Sequence, residues 1–448
     1  MNIELYAHQV EAVTKASTLP NGIALFMETG TGKTFTAMAI IEERERLLYR
    51  KAKVLIVCPL SIIESVWLRS LKEHMPNHGA VSMRTKGWAN STGSILVCNF
   101  EHFKKIPESI LGLLDIIIID ESSKIKSFSA QITKDILTRA GKIPYRIIMS
   151  GTPAPNNLLE YWPQVYFIDK SIFNPYPKKT ISQNYYSFRA QNFYSFGFGG
   201  YQWAPRKEFK EELPKLLARC SFSARKEECL DLPPQVFQTR YYTMNKEQRT
   251  AYDTMVKENI VEFKGSVVLG ANQLAKIMKT RQITSGFLID ATGKTLDVSD
   301  GKMNLLREAL DEIGSNQVII WCQFHWEIER IMLELGDKAC AMYGNQSAGE
   351  KEDSINDFSS SKKQYLVAHP KTAGHGLNFT NCSYCIYYSL SYSYEEMAQS
   401  QDRIHRIGQN KSTTYIYLLA EDSIDDVLYK AIVKKEKISD SILEMINK

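Results

Sequence analysis

The sequence predicts an α/β protein with two parallel-sheet lobes and a mainly helical part between them. Its 448 residues exceed what one hydrophobic core usually supports, so two or three domains are expected. Short apolar runs alternate with helical stretches in the first 160 residues and again after residue 300. The stretch between these blocks has a different composition, rich in aromatic side chains. We therefore predict domains at residues 1–160, 161–300 and 301–448.

Five apolar runs predict the strands of the first lobe. Each run is bounded by glycine, proline, serine or charged residues, which commonly end strands. In chain order the runs are GIALFM, KVLIVCP, SILVCNF, DIIIID and YRIIMSG. Because these runs show no polar alternation, both faces of each strand should be covered, as in a parallel sheet flanked by helices.

The middle stretch begins with an aromatic segment. Residues 161–203 contain 15 aromatic side chains, four basic side chains and one acid. Two interpretations are open: the rings stack on unpaired bases of a nucleic acid, or they form a small core. We favour the core for most of the rings. The run KEFKEELPKLLARC and residues 245–263 and 271–284 then predict helices.

The alternation of helices and strands returns in the third block. The runs KMNLLREALDEI and HWEIERIMLEL have the spacing of amphipathic helices. The runs QVIIWC, KQYLVAH, YCIYYSL and TTYIYLL have the composition of buried strands. This block therefore predicts a second α/β lobe.

Composition and charge limit the class of protein. The net charge of +5 permits a polyanionic partner without requiring one. The longest apolar runs have the length of strands, so no segment is expected to span a bilayer, and the first residues do not resemble a secretion signal. Eight scattered cysteines predict a reducing, cytoplasmic setting. Cys382 and Cys385 form a CxxC pair that either packs in a strand or binds a metal, and packing is favoured.

The first chemical motif is METGTGKT, residues 27–34, between a predicted strand and a predicted helix. That context is typical of a loop that holds phosphates, since glycines let backbone N–H groups approach the anion. The lysine offers a positive charge to the β- and γ-phosphates, and the last threonine can ligate Mg²⁺. Met27 departs from a strict phosphate loop, and the alternative is a chance GTGKT. We assign nucleotide binding to Thr29, Gly30, Thr31, Gly32, Lys33 and Thr34, with Lys33 also catalytic and Thr34 also a metal ligand.

Two acids end the fourth apolar run, in DIIIIDESSKIK (115–126). Asp120 can hold Mg²⁺, and Glu121 can orient and deprotonate the attacking water. The alternative is a strand end with two solvated acids. The Ser-Gly-Thr at residues 150–152 either senses the γ-phosphate or forms a simple turn.

Two arginines three residues apart form the last motif, in QSQDRIHRIGQN (399–410). If this segment is helical, Arg403 and Arg406 share one face and repel each other unless an anion lies between them. The first lobe offers no obvious arginine for the charge that develops on the γ-phosphate. We therefore predict that both arginines reach ATP from the second lobe. The alternative is a surface helix whose arginines pair with Asp402.

In their order and spacing, these segments resemble the Swi/Snf-type ATPases of helicase superfamily 2. The resemblance covers nearly the whole chain, in LYAHQVEAV, METGTGKT, VLIVCPLSIIESVW, DESSKIK, SGTPAPN, VIIWCQFHWEIERI, AHPKTAGHGLNFT and QSQDRIHRIGQ. It implies two RecA-like lobes with helical protrusions, ATP as the nucleotide and Mg²⁺ as the metal. It also implies that Gln9 contacts the adenine, that Gly376 belongs to the nucleotide site, and that Arg403 and Arg406 are arginine fingers.

The resemblance further implies a DNA partner. A motor of this family tracks along duplex DNA, and a grip on phosphates lets it ignore sequence. Lys371, Thr372 and Asn378 are the expected DNA contacts.

The expected function is a monomeric DNA translocase that remodels forks or migrates branches in a bacterial or phage-infected cell. The motifs fill almost the whole chain, which favours DNA structure itself over histones as the substrate. One alternative is a motor that displaces a protein, such as a stalled polymerase, from DNA. A nucleotide-gated DNA clamp without enzymatic activity is the least favoured, because the expected catalytic side chains are all present.

Overall fold

A computed structural model describes residues 4–90, 92–196, 202–264, 266–270, 272–372 and 377–446. The chain forms two compact units. Unit 1 comprises Met1–Asp231 and Lys435–Lys448, and unit 2 comprises Leu232–Lys434. Each unit is built on one parallel β-sheet with helices, which confirms the predicted fold class.

Unit 1 contains the strands that the apolar runs predict, with additional short ones. The described strands are β1 (Gly22–Met27), β2 (Val54–Cys58), β3 (Ala80–Ser82), β4 (Ile95–Asn99), β5 (Ile116–Asp120), β6 (Tyr145–Met149), β7 (Phe193–Phe196), β8 (Gln202–Pro205) and β9 (Ser221–Ala224). Seven of them form a parallel sheet in the order β3-β4-β2-β5-β6-β1-β9. Strands β7 and β8 form a separate antiparallel hairpin.

The sheet of unit 1 is covered on both faces, as the apolar runs require. Alternate residues of β1 belong to two different hydrophobic clusters: Ala24 and Phe26 to one, and Ile23 and Leu25 to the other. This division follows from the alternation of side chains along a strand. The helices that supply the covering are α1 (Ala7–Thr18), α2 (Lys33–Leu48), α3 (Arg69–His74), α4 (Phe100–Phe103), α5 (Glu108–Leu111), α6 (Gln131–Asp135), α7 (Tyr161–Ile168), α8 (Lys170–Phe173), α9 (Ile181–Asn192), α10 (Lys207–Ala218) and α11 (Lys226–Cys229).

The aromatic segment belongs to unit 1 and contributes rings to its core. Trp162, Phe188 and Phe193 are at most 1% exposed and belong to the same hydrophobic cluster as Phe26 of β1. The core interpretation therefore holds for these rings. Other rings of the segment are exposed, namely Tyr176, Tyr186, Tyr194 and Phe196.

Unit 2 repeats the architecture. The described strands are β10 (Gln235–Tyr242), β11 (Ile260–Phe263), β12 (Ser266–Leu269), β13 (Phe287–Ile289), β14 (Thr295–Asp297), β15 (Val318–Trp321), β16 (Ala339–Met342), β17 (Tyr365–Ala368), β18 (Tyr384–Tyr387) and β19 (Thr413–Ala420). Six form a parallel sheet in the order β10-β19-β18-β15-β17-β16. The helices are α12 (Lys246–Glu258), α13 (Gln273–Thr284), α14 (Gly301–Ile313), α15 (His325–Leu335), α16 (Ala348–Ser359), α17 (Tyr394–Gln401) and α18 (Ile424–Ile446). The residues of α18 from Lys435 onward are assigned to unit 1.

The middle of the chain is divided between the two units. Strand β9 pairs with β1 in unit 1, whereas β10 pairs with β19 in unit 2. The helix expected over 245–263 ends at Glu258, because Asn259 adopts a left-handed conformation with φ of 60°, and β11 follows. The helices expected over KEFKEELPKLLARC and 271–284 are present as α10 and α13.

The CxxC pair and the longest apolar runs both lie within the folded units. Cys382 and Cys385 are buried free thiols, and Cys385 lies in β18, in agreement with packing in a strand. Within the described ranges, no helix is long and apolar enough to cross a membrane.

Candidate active site

The candidate site lies at the carboxyl edge of the sheet in unit 1. Strands β5, β6 and β1 are neighbours in that sheet and run parallel. Residues 120–121 lie at the end of β5, and residues 150–152 and 28–32 follow β6 and β1, so three of the predicted motifs meet at one edge. Ligands of parallel α/β sheets commonly bind at this edge.

The loop between β1 and α2 has a backbone that only glycine adopts readily. Gly30 and Gly32 have φ of 92° and 86°, in the left-handed region. A Cβ atom on Gly32 would also lie 2.1 Å from the side-chain nitrogen of Gln9. The loop can therefore keep this shape, with its backbone open to close approach by an anion, only if position 32 is glycine.

Two side chains of helix α1 donate hydrogen bonds to the backbone of this loop. The ring Nε2 of His8 donates to the carbonyl oxygen of Thr31 at 2.8 Å, and the amide of Gln9 donates to the carbonyl oxygen of Gly32 at 3.1 Å. The side-chain oxygen of Gln9 accepts from the backbone N–H of Tyr6. The Thr31 hydroxyl donates to the carbonyl oxygen of Glu28 at 2.8 Å.

Lys33 and Thr34 form the first turn of α2. The ammonium of Lys33 donates to the carbonyl oxygen of Met27, the last residue of β1, at 2.8 Å. Thr34 is partly exposed in the same turn. The amino terminus of this 16-residue helix adds its unpaired N–H groups and positive dipole end to the charge of the lysine.

Asp120 ends β5 and is only 8% exposed. Burial raises the pKa of its carboxyl, while a hydrogen bond from Trp67 and the charge of Lys33 lower it. The indole N–H of Trp67 donates to Oδ2 of Asp120 at 2.8 Å. A buried carboxylate held in this way is suited to a cation, which would relieve the cost of burying its charge.

Glu121 follows in a strained position. Its φ of 62° lies in the left-handed region, where non-glycine residues are uncommon. Strain of this kind is concentrated at functional sites. Oε1 of Glu121 accepts from the hydroxyls of Ser123 at 3.0 Å and Ser150 at 3.4 Å, so the carboxylate is oriented by two loops.

The segment after β6 approaches both other loops. The backbone N–H of Thr152 donates to the Ser150 hydroxyl at 3.1 Å. A Cβ atom on Gly151 would lie 3.2 Å from both the backbone nitrogen and the hydroxyl of Thr29. The Ser-Gly-Thr segment is therefore in direct contact with the loop after β1 and with Glu121.

In unit 2, Arg403 and Arg406 converge on one acceptor. Each donates through Nη1 to the carbonyl oxygen of Leu377, at 3.1 and 3.2 Å. They do not share a helix, because α17 ends at Gln401 and the following residues form turns. The two guanidiniums are nevertheless brought to the same place.

The arginine segment is packed into unit 2. Arg403 is 3% exposed, and burial lowers the pKa of Arg406 while the charge of Asp402 opposes this. The side-chain amide of Gln409 donates to the carbonyl oxygens of Cys382 and Ile404, both at 2.9 Å. The exposed helix of the alternative interpretation is absent at these residues, whereas the charge of Asp402 does act on Arg406 as that alternative expects.

The expected DNA contacts lie just before and after a gap in the described chain. Lys371 and Asn378 are exposed, and Thr372 is partly exposed. The ammonium of Lys371 forms an ion pair with Glu396 at 3.4 Å. Gly376, expected in the nucleotide site, lies outside the described residues.

Family models cover most of the chain. The model of the SNF2-related domain matches residues 8–286, well over half of the chain, and the helicase conserved C-terminal domain matches residues 301–408. The chain belongs to the SNF2-related family. It is therefore an enzyme of the SNF2 helicase type, a DNA-dependent ATP hydrolase.

Known proteins resemble this SNF2-related chain at low identity. Protein p41 of Acyrthosiphon pisum secondary endosymbiont phage 1 is 25% identical, over 94% of this chain and 94% of its own length. The uncharacterized ATP-dependent helicase MG018 of Mycoplasma genitalium is 24% identical over 94% of this chain, which spans 40% of that protein. Six further curated relatives are also much longer than this chain, which spans 26–50% of their lengths.

Among solved structures, the SWI2/SNF2 ATPase core of Sulfolobus solfataricus in complex with double-stranded DNA is 21% identical, with a TM-score of 0.44. The alignment covers 100% of this chain and 95% of that one.

Two features of this SNF2-related site were not expected from the sequence. Trp67 lies in a motif that was recognised, but its contact with Asp120 joins residues 53 positions apart. The acceptor at Leu377 is a backbone carbonyl, which every residue type possesses, so the sequence cannot indicate it. The indole in VLIVCPLSIIESVW is the only sequence signal that either feature offers.

Proposed function

We propose that this protein is an ATP-driven translocase that tracks along duplex DNA and remodels branched DNA such as stalled forks. The observation that best supports the proposal is the meeting of three loops at one sheet edge, with a glycine-dependent backbone, a lysine and a buried carboxylate. This set of groups matches the needs of phosphoryl transfer, in which positioning and charge stabilisation do most of the work.

The residues of unit 1 fit ATP and Mg²⁺. The loop Thr29–Thr34 presents backbone N–H groups and the Lys33 ammonium to the phosphates. Thr34 and Asp120 supply a hydroxyl and a carboxylate, the oxygen ligands that Mg²⁺ accepts beside phosphates. When bound, Mg²⁺ would neutralise charge on the phosphate oxygens. Gln9 would contact the adenine and, through Gly32, connect that contact to the phosphate loop.

Glu121 is the proposed base. Its carboxylate would accept a proton from the attacking water and hold that water in line with the γ-phosphate. The hydroxyls of Ser123 and Ser150 fix the carboxylate through Oε1. Because Ser150 belongs to the loop after β6, a change in that loop on loss of the γ-phosphate would alter the base directly.

Arg403 and Arg406 are the proposed arginine fingers. A positioned arginine at the transferring phosphoryl group is worth about 10³–10⁵ in rate. Both guanidiniums hold the carbonyl of Leu377, which lies between the expected DNA contacts Thr372 and Asn378. A shift of this segment on DNA would therefore move the arginines, which gives a physical route from DNA binding to hydrolysis.

We further propose how the chain grips DNA and what its middle part contributes. Lys371, Thr372 and Asn378 would grip phosphates, and for Lys371 this requires exchange of its Glu396 partner for a phosphate. Gly376 would belong to the nucleotide site. Residues 161–300 would supply protrusions, and the protein would act as a monomer in the cytoplasm of a bacterial or phage-infected cell, in keeping with its similarity to a phage protein.

One experiment compares four DNA substrates side by side with ATP: a stalled fork, a four-way junction, plain duplex and duplex blocked by a bound protein. The proposal expects ATP-dependent conversion of the fork and junction, with no product from the Lys33→Ala variant. If only the protein block is displaced, the motor removes proteins from DNA instead. If duplex does not raise ATP turnover in any arm, the translocase assignment fails.

A further inference from the structure

The segment 170–207 of unit 1 has an unusual charge. It contains no aspartate or glutamate, although the whole chain has nearly as many acids, 50, as bases, 55. Its six basic side chains are Lys170, Lys178, Lys179, Arg189, Arg206 and Lys207. Five of these, all except Arg189, are exposed. Such a segment attracts a polyanion.

The hairpin of β7 and β8 within this segment has two different faces. Phe193 is 1% exposed and Trp203 packs against the same hydrophobic cluster, so these rings anchor one face to unit 1. Ser195 is paired with Trp203 and shares that face. The alternate residues Tyr194 and Phe196 must point the other way.

The outward rings, Tyr194 and Phe196, form what we call the aromatic face. They are 49% and 45% exposed, and their cross-strand partners, Ala204 and Gln202, carry no ring that could cover them. The ring centroids are 6.3 Å apart and inclined by 52°, so the two rings do not stack on each other. Their π-surfaces are open to a flat partner.

One basic group, Arg189, lies between the anchored side of the hairpin and a neighbouring depression. The guanidinium of Arg189 lies 4.0 Å from the ring centre of Trp203 and 5.0 Å from that of Tyr186. Tyr186, which is 53% exposed, lines an open depression of about 700 Å³. The other lining residues are Pro177, Lys178, Lys179, Ser182 and Gln183. This depression combines two ammonium groups with a ring and contains no acid.

We propose that this surface binds an unpaired DNA strand, with bases stacked on the aromatic face and phosphates held by Lys178 and Lys179. This inference rests on the proposed action on DNA and adds a site for the single-stranded part of a fork. Exposed rings beside a basic track are how proteins bind single strands without reading sequence, since every base has a π-surface. Core packing does not account for Tyr194 and Phe196, because both rings are exposed to solvent.

The test measures DNA binding by the full chain without nucleotide, using fluorescence anisotropy. The labelled probes are a fork with two unpaired arms, oligothymidylate, and a blunt duplex. The variant Tyr194→Ala with Phe196→Ala should bind the fork and oligothymidylate at least about fivefold more weakly, the lower end of the loss of one stacked base. Its affinity for blunt duplex and its duplex-stimulated ATP turnover should match the wild type.

Two further variants supply a control for the loss of a ring and an independent readout of stacking. Tyr49→Ala removes an aromatic ring that is 97% exposed elsewhere in unit 1, and it should leave all three affinities unchanged. Tyr194→Trp with Phe196→Trp should retain binding, and oligothymidylate should quench its additional indole fluorescence through stacking. If the alanine pair fails to fold, seen as loss of duplex-stimulated turnover, this quenching decides the question, and its absence overturns the proposal.

Other results would also overturn it. Equal affinity of the alanine pair and the wild type for the fork would exclude stacking at the aromatic face. A loss confined to Lys178→Ala with Lys179→Ala would reduce the site to simple charge attraction. If the wild type binds no unpaired DNA, the surface is better suited to an acidic protein. Failure of duplex to stimulate ATP turnover would count against the translocase alone, because the binding assay contains no nucleotide.

Discussion

The indole N–H of Trp67 donates a hydrogen bond to Oδ2 of Asp120 at 2.8 Å. Substituting Trp67→Phe removes this donor and keeps an aromatic ring in the core. Asp120 is the proposed carboxylate ligand of Mg²⁺, so the variant changes a support of that ligand and no group that touches the nucleotide. The perturbation tests whether Trp67 orients Asp120 for the metal.

The size of the effect follows from the type of bond. A hydrogen bond to a charged group contributes about 1.5–3 kcal/mol. That range corresponds to about 10- to 150-fold in an equilibrium constant. Loss of a group that supports a metal ligand typically costs about 10- to 100-fold in metal affinity or activity, which agrees. We therefore expect half-maximal ATP turnover to require about 10- to 100-fold more Mg²⁺.

The pH dependence of the variant has a predicted sign. Burial raises the pKa of Asp120, and the Trp67 hydrogen bond opposes that rise. Removing the donor raises the pKa further, so a proton competes more effectively with Mg²⁺ for the carboxylate. The loss of turnover at a fixed Mg²⁺ concentration should therefore become larger as the pH falls.

The assay is duplex-stimulated ATP turnover over a Mg²⁺ titration at several pH values. Trp162→Phe is the matched control, because Trp162 is also buried in unit 1 but its indole donates to Asn174 instead. The control should keep the Mg²⁺ requirement of the wild type. A Mg²⁺ requirement of Trp67→Phe within about twofold of the wild type, at every pH, would refute the proposed role of the indole.

Three further predictions concern the nucleotide and the DNA. Lys33→Ala should abolish ATP turnover and leave DNA binding intact, because it removes the charge proposed to face the phosphates; unchanged turnover would exclude Lys33 from the site. Arg406→Ala should lower turnover about 10³–10⁵-fold, and Arg406→Lys should not restore it because lysine lacks the planar fork; a loss below tenfold would contradict the arginine finger. Raising salt from about 50 to 200 mM should weaken DNA binding about 10³–10⁵-fold if six to ten phosphates are contacted, and equally for different sequences; a strong sequence preference in anisotropy would contradict a phosphate grip.

The strands of both sheets are largely predictable because burial on both faces leaves uninterrupted apolar runs. Strand β9 has no uninterrupted apolar run and is not predicted from the sequence. It contains Ser221 and Ser223 and is nevertheless buried, and the Ser221 hydroxyl is satisfied locally by donating to the carbonyl oxygen of Leu217. Its pairing with β1 joins Ser221 to Ala24, a long-range contact that periodicity cannot show. Strand β10 is mostly exposed at a sheet edge, so it has no apolar run to recognise.

Some features of the candidate site are also predictable from the sequence and others are not. The glycine-containing loop between β1 and α2, the proposed phosphate site, is predictable because its glycines, lysine and threonine are adjacent and their chemistry is local. The contacts of Trp67 and of Leu377 depend on folding, since they join distant segments or use a backbone oxygen. The aromatic segment was ambiguous because identical residue types serve both purposes: Phe193 is buried and Tyr194, the next residue, is exposed.

We infer that DNA stimulates ATP hydrolysis at the edge formed by β1, β5 and β6, with Glu121 as the base. Steady-state ATP turnover by the wild type and by Glu121→Gln, each with and without duplex DNA, tests it most directly. We predict that duplex raises turnover of the wild type and that Glu121→Gln loses about 10²–10⁴-fold while still binding ATP and duplex. Turnover of Glu121→Gln at the rate of the wild type, or a wild type indifferent to duplex, would contradict the claim.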